Sequence, residues 1–257
     1  MKLFNELYKY REFLRTSIKK EIRGKYKKSF LGVLWSFLNP LLMLAVYAII
    51  FPMILKNNIP NYVLFLFTAM IPWTFFTTSL NQGTNTMLMN GNIIKKVYFP
   101  REILPISVVT SALINFLISC IIMFLFLIFG GLGLTPYALI MPLIIIIQYL
   151  FQLGLVLFLS SITVYLRDLE HIIGIAIQVL FYGTPIVYSI RELSNPLVNL
   201  IKINPMTHII EAYRSVLYYQ ELPDFISLGI VAAISVLLVV VGLKVFNKLQ
   251  KRFAEEL

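Results

Sequence analysis

The stretch that decides the fold is Glu21–Pro40, EIRGKYKKSFLGVLWSFLNP, where a basic arm turns into an apolar run. Its clustered cations stop before Leu31, and no charged residue occurs from Leu31 to Leu55. Trp35 lies just inside this boundary, where an interfacial aromatic is favoured. Asn39-Pro40 removes one helical hydrogen bond, so we expect a kink whose freed carbonyl is satisfied by neighbouring groups. Taken alone, the stretch indicates a membrane anchor with a positive flank.

The composition of the whole chain is that of an integral membrane protein. Of its 257 residues, 59% are hydrophobic and only 13% are charged, and the mean hydropathy is +0.83. A soluble domain carries about 25% charged residues. The net charge of +10 comes from cations that cluster beside apolar runs, where anionic membrane lipids account for them. The composition therefore excludes a soluble enzyme and predicts lipids, and no nucleic acid, as the partner of the basic residues.

Few side chains suit a metal or a disulfide. Cys120 is the only cysteine and falls in the middle of an apolar run, which excludes an internal disulfide and a thiolate metal cluster. His171 and His208 are far apart in sequence and lack the spacing of metal ligands. We therefore predict no metal and no cofactor in this chain.

Residues 1–30 predict an amphipathic helix. Apolar residues recur there every three or four positions, which places them on one face at about 100° per residue. They are Leu3, Phe4, Leu7, Tyr10, Leu14, Ile18 and Ile22. Ten Lys and Arg residues share the segment, and such a basic helix suits the plane of a membrane surface. The alternative is a solvated helix that packs on a partner.

Six apolar runs reach the length of about 20 residues that a spanning helix needs. They are Leu31–Leu55, Tyr62–Gln82, Leu104–Phe129, Tyr137–Tyr165, Ile172–Ile190 and Ile226–Leu243. The predicted fold class is an all-α integral membrane protein, with six transmembrane helices forming one domain over residues 1–257. No internal repeat or low-complexity linker divides it.

The distribution of cations predicts the orientation. If six spans alternate in direction, all but four of the 22 Lys and Arg residues lie on the side of the basic arm. The four on the other side are Lys56, Arg191, Lys202 and Arg214. Because positive charge is concentrated in cytoplasmic segments, we expect both termini, including the tail 244–257, to be cytoplasmic.

The cytoplasmic connection Gly83–Ile103 contains a short helix-like piece, Asn92–Pro100, with the sequence NIIKKVYFP. We expect its two lysines and two aromatics to be presented outside the membrane, with Pro100 ending the helix. The alternative is a basic loop that only snorkels to the interface.

The external connection after Arg191 is too apolar for a plain loop. Asn204-Pro205 predicts a helix start, with Asn at the cap and Pro in the first turn. The helix extends to about Tyr219, which is too short to cross a bilayer. We therefore expect an external re-entrant or interfacial hairpin over about residues 195–219.

The six predicted spans contain no Asp, Glu, Lys or Arg. This argues against proton-driven transport and against a hydrolase built on paired carboxylates. Uncharged polar and aromatic side chains occur instead and suit a hydroxyl-rich ligand such as a sugar, although each can equally pack helices together. The candidate aromatics of a glycan pathway are Tyr47, Phe51, Trp73, Phe75, Phe76, Tyr182 and Tyr188.

No GxxxxGK[ST] phosphate-binding loop occurs in the chain. If transport is active, its energy must come from another chain. We expect that chain to dock on the cytoplasmic face, at Asn92–Pro100 and at Arg167-Asp168.

The assembled pattern resembles the membrane permeases of ATP-binding-cassette polysaccharide exporters, which move O-antigen, capsule and teichoic acid chains. The similar stretches are Arg23–Leu42, Ile71–Phe76 (IPWTFF), Asn92–Pro105 (NIIKKVYFPREILP), Tyr165–Tyr188 and Asn204–Arg214 (NPMTHIIEAYR). Together with the six spans they cover nearly the whole chain.

The resemblance implies a homodimeric channel with two copies of a cytoplasmic ATP-binding-cassette ATPase, which carries the ATP and Mg²⁺. It implies a multi-pass protein of the bacterial inner (plasma) membrane, with residues 1–30 on the cytoplasmic surface where a lipid-linked polysaccharide enters. The ATPase-coupling residues it implies are Asn92, Ile93, Ile94, Lys95, Lys96, Val97, Tyr98, Phe99, Pro100, Arg167 and Asp168. The external gate it implies includes Asn204, Pro205, His208, Glu211 and Arg214.

The function expected from the sequence is therefore that of a permease subunit, not an enzyme, in an exporter of lipid-linked polysaccharide. One alternative is the same fold exporting a drug or other small amphiphile. A second is a membrane glycosyltransferase or flippase, which should show acidic residues clustered at a membrane boundary. Asp168 and Glu170 are the only cytoplasmic acidic pair near the end of a span.

Overall fold

The computed structural model describes residues 8–24, 38, 41–43, 45–47, 49–50 and 59–257. Phe51, most of the predicted first span Leu31–Leu55 and the start of the arm lie outside the described residues. Within the described ranges all regular structure is helical. The helices in chain order are α1 (Arg11–Gly24), α2 (Tyr62–Met89), α3 (Gly91–Lys96), α4 (Ile103–Phe129), α5 (Met141–Thr163), α6 (Leu169–Tyr182), α7 (Asn195–Ile201), α8 (Pro205–Arg214), α9 (Phe225–Leu249) and α10 (Phe253–Glu256).

Four helical stretches of the described chain are long and apolar enough to cross a membrane. They are Tyr62–Lys96, Ile103–Phe129, Pro136–Thr163 and Phe225–Arg252. These stretches contain the predicted second, third and sixth spans, and all of the predicted fourth span except its last two residues. Helix α2 is longer than predicted, because it continues beyond Gln82 to Met89, into the segment expected to be a connection.

Helix α6 is shorter than the predicted span Ile172–Ile190. It has 14 residues and ends at Tyr182, so at about 1.5 Å per residue it is roughly 21 Å long. The hydrocarbon core of a bilayer is about 30 Å thick. Gly183 and Pro185 follow immediately, and the residue before a proline is pushed out of the helical region. The rest of the predicted span, residues 183–189, is non-helical.

The long helices alternate in direction between two ends of the bundle. At one end, which we call the α3 end, α2 terminates and α4 begins on either side of α3. At the other, the hairpin end, the hydroxyl of Tyr218 donates to the carbonyl of Pro60 before α2. There Gln220 also donates to the carbonyl of Leu132 beyond α4, over 2.6 Å.

Helices α5 and α9 run parallel and touch through glycine. A Cβ on Gly154 would lie 2.6 Å from the backbone of Leu238 and Val239. A Cβ on Gly242 would lie 2.6 Å from the carbonyl oxygen of Gly154. Glycine is the only amino acid without a Cβ atom, so Gly154 and Gly242 allow the two helices to approach this closely.

Besides the main hydrophobic core inside the bundle, a smaller core lies at the α3 end, and we call it the α3-end cluster. In this cluster, side chains from the ends of several helices pack together. Its members are Met87, Ile94, Phe99, Leu104, Leu157, Val164, Phe246 and Phe253. Burying these side chains together ties the short helix α3 to α4, α5 and α9.

Helix α1 packs on this end of the bundle, against α4. Its Phe13 ring lies 4.7 Å from the ring of Phe99, and Lys20 Nζ donates to Asn90 Oδ1 over 2.8 Å. Leu14 and Ile18 of the predicted apolar stripe are half-buried. The stripe therefore contacts the protein's own α3 end, and immersion of the arm in a membrane surface stays a prediction.

Candidate functional site

The predicted ATPase-coupling segment consists of α3 and an extended piece after it. Backbone at Val97 is extended (φ −129°, ψ 136°), and in extended chain successive side chains point in opposite directions. Tyr98 is accordingly 92% exposed, whereas Phe99 is 5% exposed and its ring packs against that of Phe13 at a tilt of 49°. Tyr98 also borders an open cavity of about 710 Å³ that Lys9, Arg101 and Lys251 help to line.

The structure divides the side chains of this predicted segment into buried and exposed ones. Ile94 and Phe99 are buried in the α3-end cluster, and Pro100 is half-buried. The side chains left for a partner are those of Asn92, Ile93, Lys95, Lys96, Val97 and Tyr98. Lys95 and Lys96 occupy the last turn of α3, where positive charge is favoured by the helix dipole.

Arg167 and Asp168 are exposed in the turn between α5 and α6. The turn lies at the α3 end, because Val164, three residues before Arg167, is buried in the same cluster as Ile94. The two segments predicted to contact an ATPase therefore flank one hydrophobic cluster.

The predicted pathway aromatics separate into two groups. Trp73, Phe75 and Phe76 are buried inside the bundle. Phe75 stacks on Phe116 of α4 with ring centroids 4.9 Å apart, and Phe76 stacks on Phe151 of α5 at 6.1 Å. In the single chain these three rings pack helices against each other, which is the alternative that their sequence pattern left open.

The other group is accessible. Tyr182 is 69% exposed, and Tyr47 and Tyr188 are half-buried. Phe181 connects the two groups, since its ring lies 5.8 Å from Tyr47 and 5.9 Å from Trp73. Tyr188 Oη donates to the carbonyl of Tyr182 over 3.0 Å. An aromatic strip thus follows α6 to its end.

The predicted external hairpin is formed by α7 and α8, with α8 continued by a π-helical turn over Ser215–Tyr219. Asn204 caps α8, because its side chain accepts a hydrogen bond from Met206 N over 3.0 Å, and Pro205 takes the first position. Asn204 Nδ2 also donates to Thr184 Oγ1 over 2.8 Å. His208 contacts the carbonyl of Lys202 at 2.8 Å. The cap therefore ties the hairpin to the break after α6.

Arg214 is the centre of this region. Its side chain is fully buried, and it pairs with Glu211 over 2.9 Å. The guanidinium donates to the carbonyls of Pro185, Ile186 (2.6 Å) and Tyr188 (3.4 Å). It also lies 3.6 Å from the centre of the Phe65 ring, where a cation is attracted to the ring face.

Tyr62 completes this arrangement, because its hydroxyl donates to the carbonyl of Val187 over 2.6 Å. Four successive carbonyls after α6 are therefore bonded by two side chains, in place of the helical bonds that Gly183 and Pro185 interrupt. A backbone group left unbonded in hydrocarbon is costly. The family resemblance implied that Arg214 belongs to the gate, but it did not predict these hydrogen bonds. The only signal for them in the sequence is the helix break at Gly183 and Pro185.

Beyond the hairpin, Asp224 caps α9. The hydroxyl and the backbone N–H of Ser227 both donate to its carboxylate, and these bonds hold the pKa of Asp224 below its ordinary value. Among the described residues no group of three His, Cys, Asp or Glu side chains is placed to hold a metal ion.

Four apolar helices long enough to cross a bilayer, a short cationic helix followed by two aromatics at one end and a bonded hairpin at the other define a multi-pass membrane protein of the transporter class. The family model of the ABC-2 type transporter matches residues 12–218. The chain therefore belongs to the ABC-2 type transporter membrane family, whose members pair with an ATP-binding-cassette partner.

Curated relatives are similar over almost their whole length. The O-antigen export system permease protein RfbA of Myxococcus xanthus is 34% identical over 259 residues, covering 100% of both chains. A protein of the same name from Klebsiella pneumoniae is 36% identical over 241 residues, covering 92% of this chain and 91% of that one. The polysialic acid transport protein KpsM of Escherichia coli is 21% identical over 239 residues, covering 89% and 90%.

Proposed function

We propose that this chain is the permease subunit of an ATP-driven exporter that moves lipid-linked polysaccharide of the O-antigen kind across the bacterial inner membrane. The observation that carries the proposal is the full-length similarity to O-antigen export permeases at 34% and 36% identity. The permease itself makes and breaks no covalent bond. ATP and Mg²⁺ belong to the separate ATPase.

The proposed assembly is a homodimer with two ATPase copies. The outward face of α6 supports a second copy, because among exposed apolar side chains such as Ile175 it also carries exposed His171, Gln178 and Tyr182. Polar groups facing lipid are costly. By contrast, the exposed face of α4 carries Leu117, Ile121 and other apolar side chains that suit lipid. We place the α6 face at the dimer channel.

The proposed topology has six spans, with Leu31–Leu55 as the first, and both termini in the cytoplasm. It rests on the four spanning stretches, the short α6 and the distribution of cations. The α3 end is then cytoplasmic and the hairpin end external. Helix α1 lies at the cytoplasmic membrane surface, where the lipid-linked substrate enters.

Coupling to the ATPase occurs through α3. Tyr98 is the anchor, because it is a large, almost fully exposed aromatic beside two exposed lysines, and exposed aromatics are frequent hot spots of interfaces. Arg167 and Asp168 provide the second contact. Movement of α3 reaches the long helices through the α3-end cluster.

The glycan path follows the accessible aromatics Tyr47, Tyr182 and Tyr188. Aromatic faces cover the apolar faces of sugars, while phenol hydroxyls bond to sugar hydroxyls. Trp73, Phe75 and Phe76 support this strip from within the bundle. At the outer end the hairpin acts as the gate, held to the end of α6 by Asn204 and Arg214.

The experiment that tests the function uses the permease and its ATPase reconstituted in liposomes with lipid-linked polysaccharide. ATP is supplied on the side of the ATPase, and glycan reaching the other side is measured with a glycan-binding protein. We expect ATP-dependent appearance of glycan, and none with an ATPase variant that binds but does not hydrolyse ATP. ATP-dependent export of a small amphiphilic dye without any glycan movement would overturn the proposal.

A further inference from the structure

The segment after α9, Gln250–Leu257, has no role in the function described so far. We infer that this segment, which we call the clasp, is a positioning element that holds α3 and the end of α9 together as one body while the ATPase moves α3. The inference rests on the proposed function for its coupling role. Its geometric part stands on the contacts of the clasp alone.

The apolar contact of the clasp is made by Phe253. Its side chain is fully buried in the α3-end cluster. Its ring lies 5.5 Å from that of Phe246 in α9 and 6.4 Å from that of Tyr165 after α5. A segment that merely left the membrane would not bury an aromatic ring among the ends of two long helices.

Polar contacts hold the clasp from the other side. Arg101, in the turn before α4, donates to the carbonyl of Gln250, and its guanidinium lies 5.9 Å from the centre of the Phe253 ring. Gln250 Nε2 donates to Glu102 Oε1 over 2.9 Å. Tyr165 Oη donates to the carbonyl of Leu249 over 2.8 Å. The end of α9 is therefore bonded to the segment that links α3 to α4.

The clasp also touches α3 directly. A Cβ on Gly91, the first residue of α3, would lie 3.6 Å from Leu257 Cβ. Phe253 belongs to the same cluster as Ile94 of α3, and Leu257 packs against that cluster. Helix α3 is thus in contact with the clasp at its first residue and shares the α3-end cluster with Phe253.

These contacts give the clasp a mechanical role. Helix α9 is fixed to α5 by the close approach at Gly154 and Gly242. A displacement of α3 that is passed to α9 therefore also moves α5. Without the clasp, α3 would keep only the part of the α3-end cluster formed by the other helices and would lose its contacts with Phe253 and Leu257. Phe253 and Arg101 are positioning residues, since both act through their neighbours.

The functional test compares variants in the liposome assay with the ATPase bound. The variants are Phe253→Ala and a chain shortened to end at Leu249. We expect normal association with the ATPase and continued ATP hydrolysis, while glycan exported per ATP falls about tenfold, within the usual range of coupling between sites. Phe253→Leu should restore the ratio of glycan exported to ATP hydrolysed. The double variant Glu255→Ala with Glu256→Ala, at two exposed positions of the clasp, is the matched control and should leave this ratio unchanged.

A disulfide tests the geometry independently. Gly91→Cys with Leu257→Cys, in a Cys120→Ala background, places two Cβ atoms about as far apart as in natural disulfides. We expect the disulfide to form on oxidation and export to continue, because the clasp and α3 move together. Export blocked by oxidation and restored by a reductant would overturn the inference, since the clasp would then have to release α3.

The two tests separate this inference from the proposed function. If the unmodified permease exports no glycan, the proposed function is wrong. If the disulfide does not form, the inference about the clasp is wrong, whether or not glycan is exported. An unchanged ratio of glycan to ATP in the shortened chain also overturns it. An equal fall in abundance, ATPase association and export would show a merely structural segment and contradict the positioning role.

Discussion

At the scale of single residues, position relative to the α3-end cluster decides whether a side chain is buried in the core or exposed to a partner. Tyr98 and Phe99 are adjacent aromatics, yet one is exposed and the other buried. The sequence predicted both as presented to a partner, because four residues of extended chain are too few to reveal an alternating pattern. Their different surroundings give them different expected effects.

Replacing Tyr98 with Ala should weaken the ATPase contact without unfolding the permease. We expect the dissociation constant of the complex to rise about tenfold or more, the scale of an interface hot spot. Co-purification at graded ATPase concentrations measures it. Phe99→Ala is the comparison: loss of a buried ring should lower stability by about 3 kcal/mol and reduce membrane abundance. Equal behaviour of the two variants would remove Tyr98 from the contact.

Arg214 is the residue whose loss should be most damaging at the hairpin end. Arg214→Gln leaves carbonyls after α6 and the Glu211 carboxylate without their partner, so we expect a loss of about 3 kcal/mol or more. Thermal unfolding in detergent measures it. Arg191→Gln breaks an exposed ion pair with Glu221 at the same end and should cost less than about 1 kcal/mol. Similar shifts in both variants would contradict the bonding described for Arg214.

At the scale of helices, the sequence predicted α4, α5 and α9 well, because each contains one long apolar run, and the only charges in them are Lys244 and Lys248 near the end of α9. Helix α6 was predicted too long, since Gly183 and Pro185 sit within a run that stays apolar to Ile190. The hairpin was predicted from Asn204-Pro205, whose capping is local in sequence. The bonds of Arg214 join residues 26 to 29 positions apart, and no local pattern reveals such a contact.

The close contact of α5 and α9 makes Gly154 sensitive to any side chain. Gly154→Leu must push the helices apart, and we expect overpacking to lower stability by about 1–3 kcal/mol. Gly174→Ala in α6 is the matched control, because nothing lies within 4 Å of the Cβ it adds. Alanine there should be neutral or slightly stabilising. Thermal unfolding of both variants compares them, and an unaffected Gly154→Leu would rule out the contact.

At the scale of the whole molecule, the proposed dimer predicts that the outward face of α6 is exposed to water in the channel. Tyr182→Cys, in a Cys120→Ala background, should react with a charged, membrane-impermeant thiol reagent. Ile121→Cys on α4 should not react, because thiolate does not form in apolar surroundings. The two native side chains are similarly exposed, 69% and 60%, so exposure alone predicts equal labelling. Equal labelling would place α6 against lipid.

The shortness of α6 has a consequence for the surrounding bilayer. Hydrophobic mismatch is usually absorbed by tilting a helix or by deforming the lipid around it. In the proposed topology α6 is a span that stops early, and its remaining depth is filled by backbone whose carbonyls are bonded to Arg214 and Tyr62. Those bonds come from side chains, so they tolerate a change of depth that a rigid helix would resist. The proposed topology therefore predicts that the hairpin end is where the protein adapts to membranes of different thickness.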